Sequence, residues 1–532
     1  MRNSILNERA CREVIEKLLV GDIGRGVDNL KLQTSKKYGL TRIPPNSEVL
    51  AFATDEEKEK IRPLLQLKPI RSLSGVNVIA AMTKPFDCPH GKCAYCPGGT
   101  KYNVPSSYTG KEPATMRGIQ NNFDPYLQVK CRINQLRTIG HIVNKTELIV
   151  MGGTFPSTPV EYQEYFIKGC LDAITDVHSK DLEEAKRLTE KSAIKNVGIT
   201  FETRPDWAAE KHVKDMLRMG VTRVELGVQT VFDDVYKLIG RGHTVDDVAR
   251  ATRTLKDAGL KVCYHIMPGL PGSNLKKDLE VFRTLFSDSR FKPDELKIYP
   301  TLVLEGTKLY DMWVKGEYQP PTDEELIQLL VDAKSQYVPR FARIKRITRD
   351  IPAPLIVAGP RMGNLREVVW DHLQVLGKRC NCIRCREVGL SKAKLDVDPA
   401  LENVKLRRLE YEASNGIEVF LSYEDVKQNI LIGFLRLRVP VENGQRGEVN
   451  EDKTVIVREL HVYGPLVSVG VKPTYEKWQH RGYGRMLLDE AEKMGRERFD
   501  AKKVLVTSGL GVKEYYRQLK YEDSGPYMSK LL

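Results

Sequence analysis

The chain has 532 residues, of which 41% are hydrophobic and 29% charged, a composition that indicates a globular protein of several domains. Its formal net charge of +14 is typical of a protein that binds a polyanion such as a nucleic acid, although a protein can also simply be basic. The apolar runs are too short to cross a membrane, and the first residues lack the apolar region of a signal peptide. We therefore exclude a membrane protein and expect a cytoplasmic location, in which disulfides are rare.

Residues 1–75 are predicted to form a small, mainly helical segment. The stretch from Asn29 to Ser47 contains several basic residues and no acid: Lys31, Lys36, Lys37 and Arg42. We interpret this segment as a transfer RNA (tRNA) contact, although a charge run of this kind is also typical of a solvated helix face.

Residues 76–335 alternate short apolar strands with helical stretches. The predicted strands are 76–80, 147–151, 197–201, 224–228, 262–267 and 295–299, and the clearest helices are 160–174 and 245–258. Such alternation predicts an α/β domain with a parallel sheet, closed into a partial or full (β/α) barrel. The chemistry of such a domain lies at the carboxyl ends of the strands, where Gly152 and Gly153 fall.

A first cysteine triplet, Cys88, Cys93 and Cys96, follows directly after the first predicted strand. Three thiolates on one loop can bind three irons of a [4Fe–4S] cluster and leave the fourth iron open. The alternative is a structural zinc site, for which His90 is the available fourth ligand.

A second triplet, Cys380, Cys382 and Cys385, lies in a basic connector predicted over residues 336–395. Such closely spaced thiols predict zinc, and we name His372, eight residues upstream, as the candidate fourth ligand. The basic residues around the triplet would suit a phosphate backbone.

Residues 396–532 are predicted to form a separate α/β domain with strands at 417–421, 431–437, 454–460 and 504–506. A long amphipathic helix is predicted from Arg481 to Phe499. The sequence Gln479-His-Arg-Gly-Tyr-Gly484 leads into this helix, and its glycines and the helix start together suit a pyrophosphate.

Two resemblances connect these motifs to cofactors. The first triplet resembles that of the radical SAM superfamily, with four instead of three residues in its first gap. This likeness implies S-adenosylmethionine (SAM) on the open iron, beside Gly152 and Gly153. The C-terminal domain resembles GNAT acyltransferases, which implies that the loop containing Gln479, Gly482 and Gly484 binds the pyrophosphate of coenzyme A.

The order of all the parts resembles the catalytic subunit of Elongator, in the form of a stand-alone archaeal-type homologue. Motifs along the whole chain carry the likeness: Cys96-Pro-Gly-Gly, Tyr108-Thr-Gly, Asp124-Pro-Tyr-Leu-Gln128, Met151-Gly-Gly-Thr-Phe155, Glu202-Thr-Arg-Pro-Asp206, Glu225-Leu-Gly-Val-Gln-Thr230, Met267-Pro-Gly-Leu-Pro-Gly272, Glu459-Leu-His-Val-Tyr-Gly464 and Gly525-Pro-Tyr-Met528. The resemblance implies formation of 5-carboxymethyluridine at uridine 34, in the anticodon stem-loop of tRNA, from acetyl-CoA by SAM radical chemistry.

The resemblance also assigns roles to residues. It places Cys88, Cys93 and Cys96 on the cluster and Lys145 beside acetyl-CoA in the radical domain. Further acetyl-CoA contacts follow on the GNAT side: Glu459, Leu460, His461, Val462, Tyr483, Gly484, Arg485 and Tyr516. Of the two adjacent tyrosines, Tyr516 is expected near the thioester and Tyr515 in the core, and Lys145 and Tyr516 are the expected catalytic residues.

An electron donor for the cluster is also required, and a dimer or accessory subunits stay open. Two other functions compete with this reading. One is a protein lysine acetyltransferase with a structural iron–sulfur domain, in which Glu459 or His461 would be the base. The other is a non-catalytic tRNA-binding sensor of acetyl-CoA.

Overall fold

A computed structural model describes residues 2–67, 75–441, 449, 453–464 and 482–532. The chain divides into two compact units, one of residues 1–73 and 130–144 and the other of residues 74–129 and 145–532. All ten cysteines are free. Within the described residues, no helix has the length and apolar character needed to span a bilayer.

The first unit is helical, as predicted. Its N-terminal helices are α1 (Arg2–Leu19), α2 (Val27–Lys37), α3 (Asn46–Ala51) and α4 (Asp55–Leu65). They enclose an apolar core that includes Val14, Ile15 and Ile61. Helix α4 begins with a capping box in which Thr54 and Glu57 bind each other's backbone amides, and Arg12 on α1 pairs with the same Glu57 at 2.7 Å.

Several bases that the sequence assigned to RNA binding have partners within this unit. Lys31 is buried and donates to Asn46 at 2.5 Å. Lys37 pairs with Glu13, and Arg42 pairs with Glu48, each at 2.6 Å. These three bases therefore also hold the helices of the unit together, and an RNA contact through this segment stays a prediction.

The second unit contains two seven-stranded sheets. Every pairing in the first sheet is parallel, and its strands follow chain order: β1 (Asn77–Met82), β2 (Lys145–Met151), β3 (Lys195–Thr203), β4 (Arg223–Gln229), β5 (Lys261–Ile266), β6 (Glu295–Ile298) and β8 (Arg343–Ile347). Strands β1 and β8 form the two edges of this sheet, so the partial barrel is confirmed and the full barrel is not. A short antiparallel pair, β7 (Val303–Leu304) and β9 (Ile356–Ala358), lies outside it.

Helices connect these strands. They are α5 (Pro113–Gln120), α6 (Pro125–Thr138), α7 (Val160–Thr175), α8 (Leu182–Lys191), α9 (Glu210–Arg218), α10 (Asp233–Ile239), α11 (Val245–Asp257), α12 (Leu275–Ser287), α13 (Lys308–Val314), α14 (Asp323–Asp332), α15 (Leu365–Val375), α16 (Ile383–Arg386) and α17 (Val388–Leu395). Helices α7 and α11 match the predicted helices 160–174 and 245–258.

Strand β8 lies beyond the predicted end of the radical domain at residue 335. The sequence analysis assigned these residues to the basic connector because a run of basic side chains is typical of an exposed surface. In the structure, Lys345 reaches Glu147 at 3.6 Å and Glu295 at 3.5 Å inside the half-barrel. Side chains of a strand alternate between its faces, so part of this basic run serves as internal countercharge.

The second sheet has the order β10 (Val404–Ala413), β11 (Gly416–Asp425), β12 (Ile430–Val439), β13 (Thr454–Val462), β14 (Lys503–Val506), β16 (Tyr527–Leu531) and β15 (Glu522–Ser524). Among the described strands of this sheet, β13 and β14 run parallel to each other, and the other neighbouring strands pair antiparallel. Helices α18 (Tyr483–Phe499) and α19 (Lys513–Gln518) complete this α/β domain, with Leu487, Leu488 and Ala491 of α18 in its core.

A buried ion network joins the two sheets. Arg458 on β13 donates to both carboxylate oxygens of Asp294, each at 2.7 Å, and to Glu418 on β11 at 2.7 Å. Asp294 immediately precedes β6, and its carboxylate also accepts from the backbone amide of Val262 on β5 at 2.9 Å. Burial by itself would raise the pKa of Asp294, but Arg458 and Lys256 hold it well below its ordinary value.

We predict that Asp294→Asn lowers the free energy of unfolding by about 3–5 kcal/mol, because it leaves Arg458 buried with an incomplete set of counter-ions. Urea unfolding followed by tryptophan fluorescence measures the change. The matched control is Asp246→Asn, which removes an exposed carboxylate 3.7 Å from Arg250 and should cost at most about 1 kcal/mol. Equal losses in the two variants would contradict a structural role for the network.

Candidate active site and cofactor-binding residues

A cleft opens at the carboxyl edge of the half-barrel. Its walls come from the ends of six strands and from the loop after β1, and its lining includes Cys88, Gly153, Glu202, Gln229, Met267, Tyr299 and Arg349. The open volume is about 1000 Å³. The parallel strands bring these residues together from distant parts of the chain, at the edge where the sequence analysis expected the chemistry.

The first cysteine triplet lies at this cleft. Cys88 lines the opening, whereas Cys93 and Cys96 are buried below it. A tetrahedral zinc with bonds of about 2.3 Å would hold its thiolates about 3.8 Å apart. Among the described residues, the grouped ligand atoms within 4.8 Å of one another do not include this triplet or His90. The thiols of the first triplet therefore lie farther apart than the ligands of one zinc ion would, and this spacing fits a multinuclear cluster better.

The loop that carries the triplet approaches the two glycines that follow strand β2. Gly152 has φ +141° and Gly153 has φ +95°, a backbone region that favours glycine. A Cβ on Gly152 would lie 2.0 Å from Thr83 Oγ1, and one on Gly153 would lie 3.9 Å from Cys88 Sγ. The close approach of backbone and thiol at this point suits a cofactor that contacts both.

Charged residues form the floor of the cleft. Tyr108 donates to Glu202 at 2.9 Å, and His265 Nε2 lies 2.9 Å from a carboxylate oxygen of Glu225. Lys297 lies between the two carboxylates and forms ion pairs with both. Glu225, Cys263 and His265 are close enough together to hold a metal, but the ammonium of Lys297 already neutralises Glu225.

The basic stretch 340–349 divides between the cleft and other sites. Arg346 and Arg349 line the cleft. Arg340 instead pairs with Glu424, and Arg343 donates to Glu387 and to Tyr463 Oη, each at 2.6 Å. Within the cleft, Arg346 pairs with Asp350 and Arg349 donates to the carbonyl of Ser107, so a substrate phosphate would share these guanidinium groups with protein partners.

The structure does not bring Lys145 to the cleft. Lys145 is the first residue of β2, whereas the glycine pair follows Met151 at the other end of the same strand. Six residues of strand at about 3.3 Å each separate it from Met151 by about 20 Å. Burial lowers the pKa of Lys145. Lys145 therefore lies away from the cleft, and its contact with acetyl-CoA in the radical domain stays a prediction.

The second triplet forms a compact group. The Sγ atoms of Cys380, Cys382 and Cys385 lie within 4.8 Å of one another, and two of the three side chains are buried. Hydrogen bonds with Cys380 and Cys385, and to a lesser degree the buried ammonium of Lys334, lower the pKa of Cys382. Three thiols at this spacing supply three corners of a tetrahedral zinc site.

His372 is not part of this group. It is exposed on α15, and its Nδ1 lies 2.9 Å from the carbonyl of Val368. Within the described chain, no other His, Cys, Asp or Glu joins the three thiols. The guess of His372 as fourth ligand is therefore corrected: eight residues upstream places it on a separate helix with its ring directed back along that helix.

Strands β13 and β14 separate at the centre of the C-terminal domain. They pair only from Thr454 to Val457, while β13 continues along β12 to Val462. The β12–β13 register shifts next to Arg458, which marks a bulge. In the part of the chain that the structure describes, the edge of β13 from Glu459 to Val462, Leu460 and His461 included, therefore has no strand on its β14 side and can pair with an extended ligand arm.

The start of α18 lies at the mouth of this opening. Gly482 has φ +87° and no side chain caps the helix, whose first turn contains no acid. A Cβ on Gly484 would lie 3.7 Å from Val462 Cγ2. Tyr483 is buried, and Arg485 pairs with Asp489 at 2.7 Å. Gln479, the first residue of the predicted loop, lies outside the described residues.

The two tyrosines of α19 differ in burial, and the expected place of Tyr516 near the thioester stays a prediction. Tyr516 is buried in the core of the domain, whereas Tyr515 is half-buried. The hydroxyl of Tyr515 would lie 3.4 Å from a Cβ on Gly484. Successive residues of a helix point about 100° apart, so the direction in which α19 packs, which the sequence does not reveal, selects Tyr515 for the mouth of the opening.

Glu459 and His461 are poor candidates for a base. Arg436 binds Glu459 at 2.8 Å and Lys261 lies 3.6 Å from it. Burial would raise the pKa of Glu459, but Lys261 and Arg436 lower it to about 2. Enclosure by the rings of Phe434 and Tyr463 lowers the pKa of His461 to about 4. Neither group is a strong proton acceptor at neutral pH.

Sequence reasoning missed the residues behind the first triplet. Arg241 follows α10 and donates to Cys93 Sγ at 3.5 Å, and His90 Nε2 lies 3.1 Å from the same sulfur. Burial, together with Arg204 and Arg241, lowers the pKa of His90 to about 4. The glycines on both sides of Arg241 indicated that another part of the chain approaches closely there. Nothing in the sequence identified Cys93 as that part.

Three family descriptions match the chain. The radical SAM superfamily matches residues 85–285, the radical SAM C-terminal domain residues 293–374, and the ELP3 N-terminal domain residues 7–73. The tRNA uridine(34) acetyltransferase of Methanocaldococcus jannaschii is 51% identical over 99% of both chains. Elongator complex protein 3 of Schizosaccharomyces pombe is 43% identical, also over 99% of both.

A solved structure agrees. The Elp3 of Methanocaldococcus infernus, with its first 46 residues deleted, superposes with a TM-score of 0.77 at 47% identity and covers 86% of this chain and all of its own. These relatives span almost the whole chain, so the likeness extends to both sheets and to the first unit.

We predict that Cys93→Ala abolishes the iron content and the brown colour of anaerobically reconstituted protein, because a buried thiolate ligand is lost. Iron analysis and the visible spectrum measure this. The control is Cys263→Ala, which removes another buried cysteine from the same sheet and should leave the iron in place. Full iron in Cys93→Ala would contradict the cluster assignment.

A second prediction separates the two metals. The triple variant in which Cys88, Cys93 and Cys96 become Ala should retain about one zinc per chain, because the second triplet is a separate ligand group. Elemental analysis after purification without added metal gives the value. Absence of zinc from this variant and from the unmodified chain would refute the second site.

Proposed function

This chain belongs to the Elongator complex protein 3 family, and from that premise we propose that it is a tRNA uridine(34) acetyltransferase. The reaction we propose is addition of a carboxymethyl group to C5 of the wobble uridine. The observation that carries the proposal is one cleft in which the first cysteine triplet, the Gly152–Gly153 pair and cationic side chains meet at the carboxyl edge of a half-barrel. This combination suits radical chemistry on an anionic polymer better than simple acyl transfer.

The cofactors that we infer for this cleft are a [4Fe–4S] cluster, held by Cys88, Cys93 and Cys96, and SAM. When bound and reduced by an external electron donor, the cluster supplies the electron that cleaves SAM. The protein orients the reactants and excludes water. Gly153 leaves room beside Cys88 Sγ, and the buried ring of Tyr95 covers the loop between the last two ligands.

Acetyl-CoA, as we infer, occupies the opening between β13 and β14. The backbone of Glu459 and Leu460 lies along this opening and suits the pantetheine arm, and the helix start at Gly482, with no acid in its first turn, suits the pyrophosphate. Tyr515 supplies a hydroxyl at the same mouth. We retain the backbone contacts expected from the sequence and replace Tyr516 by Tyr515 as the residue that faces the ligand.

The chemistry at C5 of uridine explains why both domains would be needed. Its C5 carries hydrogen and no amine, so an acyltransferase domain by itself has no nucleophile to acylate there. A radical at the acetyl methyl can add to C5, which leaves an unpaired electron at C6. Loss of that electron, which the oxidised cluster could accept, and of the C5 proton would restore the C5–C6 double bond, and thioester hydrolysis would then release coenzyme A. Arg346 and Arg349, half-buried in the cleft, are suited to the phosphates that flank the target base.

The contacts of the candidate bases count against the lysine acetyltransferase alternative. It needs a free base beside the thioester, and both candidates are compromised: Glu459 is held by Arg436 and Lys261, and His461 is enclosed by aromatic rings. The sensor alternative leaves the cysteine triplet and its glycine cradle without use. We further propose zinc on the second triplet as a structural ion, and a cytoplasmic location, where tRNA and reduced cysteines coexist.

Nucleoside mass spectrometry tests the proposal. The reconstituted protein is incubated anaerobically with tRNA, SAM, a reductant and acetyl-CoA. We expect 5-carboxymethyluridine only when all components are present and when the wobble base is uridine; tRNA with cytidine 34 is the control. Lysine acetylation that outpaces tRNA modification would favour the first alternative, and acetyl-CoA binding without any SAM cleavage would favour the second.

We predict that Tyr515→Phe slows acetyl-CoA hydrolysis and lowers the yield of modified uridine about tenfold, because the hydroxyl at the mouth is lost. Hydrolysis is measured by thiol release with and without tRNA. The matched control is Tyr516→Phe, which alters the neighbouring core tyrosine and should change the rate less than about twofold while iron content stays the same in both. A larger effect of Tyr516→Phe would restore the original assignment.

A further inference from the structure

The longer first gap of the cysteine triplet has a structural consequence. The loop turns at Gly91, whose φ is +87° and whose amide donates to the carbonyl of Cys88 at 3.0 Å. This turn brings His90 back over the loop, so that its Nε2 lies 3.1 Å from Cys93 Sγ. A Cβ on Gly242 would lie only 3.0 Å from Cβ of His90, so the glycine leaves just enough room for the ring.

The orientation of this ring is asymmetric. His90 Nδ1 is buried and has no hydrogen-bond partner among the described residues. A neutral imidazole carries one N–H, and a thiolate that binds iron can only accept. The proton is therefore best placed on Nε2, where it points at the sulfur of Cys93.

Arg241 approaches the same sulfur from the other side. Its Nη1 lies 3.5 Å from Cys93 Sγ and its Nη2 donates to the carbonyl of Gly227 at 2.5 Å. The residue is only 7% exposed. The neighbouring buried arginine, Arg204, binds Asp206 at 2.9 Å. By contrast, no ion pair of Arg241 occurs within the described ranges.

A buried guanidinium without a carboxylate is costly unless another anion compensates it. Among the described residues, the thiolate of Cys93 is an anionic group within reach of the Arg241 guanidinium. The charge of Arg241 is therefore matched to an anionic cluster, and it gains more when that cluster takes up an electron.

We propose that His90 and Arg241 tune the cluster: their N–H groups bind Cys93 Sγ and, with the charge of Arg241, raise the reduction potential of the cluster. Both groups act through the ligand and touch no substrate, so they are positioning residues for electron transfer. The inference rests on the proposed function, because it requires the cluster on the first triplet. Hydrogen bonds to sulfur, net charge and burial are the terms that set such potentials.

The experiment is a potentiometric titration of the reconstituted full-length protein, followed by electron paramagnetic resonance, without SAM or tRNA. For Arg241→Gln we expect the ratio of reduced to oxidised cluster at a fixed potential to fall about tenfold, equivalent to about 59 mV for one electron. For His90→Asn, which loses one neutral hydrogen bond, a fall of about threefold is expected. Arg241→Lys, which keeps the charge, should lie between Arg241→Gln and the unmodified chain.

The matched control is Lys92→Gln in the same loop. Lys92 is exposed and its ammonium donates to the carbonyl of Gly98, so solvent should screen its loss to within about twofold. If Arg241→Gln loses its iron, His90→Asn and Arg241→Lys decide the question. Ratios within about twofold of the unmodified chain in iron-replete His90→Asn and Arg241 variants would overturn the proposal. An unmodified chain that binds no iron would instead refute the proposed function.

Discussion

Arg458 projects from the bulge in β13 and binds Asp294, the residue just before β6 of the other sheet. This bidentate pair, with Glu418 as a third member, fixes the place where β13 leaves β14. Because removal of one partner leaves a buried uncompensated charge, the contact tolerates little displacement. The opening that we assign to acetyl-CoA is therefore shaped partly by the half-barrel, so the two sheets work as one structure and not as independent domains on a linker.

Buried carboxylates inside the half-barrel are likewise paired with basic side chains. Burial would raise the pKa of Glu147, yet Arg223 and Lys345 hold it below its ordinary value. Burial would likewise raise the pKa of Glu225, but Lys297 and a hydrogen bond with His265 hold it well below its ordinary value. These pairs keep carboxylates charged beneath the cleft, where an unpaired acid would take up a proton. The floor of the cleft is thus both polar and rigid, which suits a site that must orient a reactive intermediate.

The second metal group shows how the two sheets share their supports. Cys382 precedes Ile383, whose amide donates to the carbonyl of Ala342 at the start of β8. Arg386, at the end of α16, binds Glu424 of β11 at 2.8 Å. A zinc ion on this triplet would therefore brace the edge strand of the half-barrel against the second sheet. That location explains why a short basic segment, with few apolar residues of its own, would gain stability from a metal.

The sequence by itself determined the class of fold, the order of strands and helices, the two thiol groups and the glycine pair beside the first of them. These features are local: periodicity, spacing and backbone freedom are written in consecutive residues. The tertiary structure decided what depends on direction. It placed Lys145 at the far end of its strand, turned Tyr515 instead of Tyr516 toward Gly484, and directed Lys345 of an apparently exposed basic run into the half-barrel. It also brought Arg241 to Cys93 across 148 residues. No local pattern encodes such contacts, because they follow from how whole elements pack.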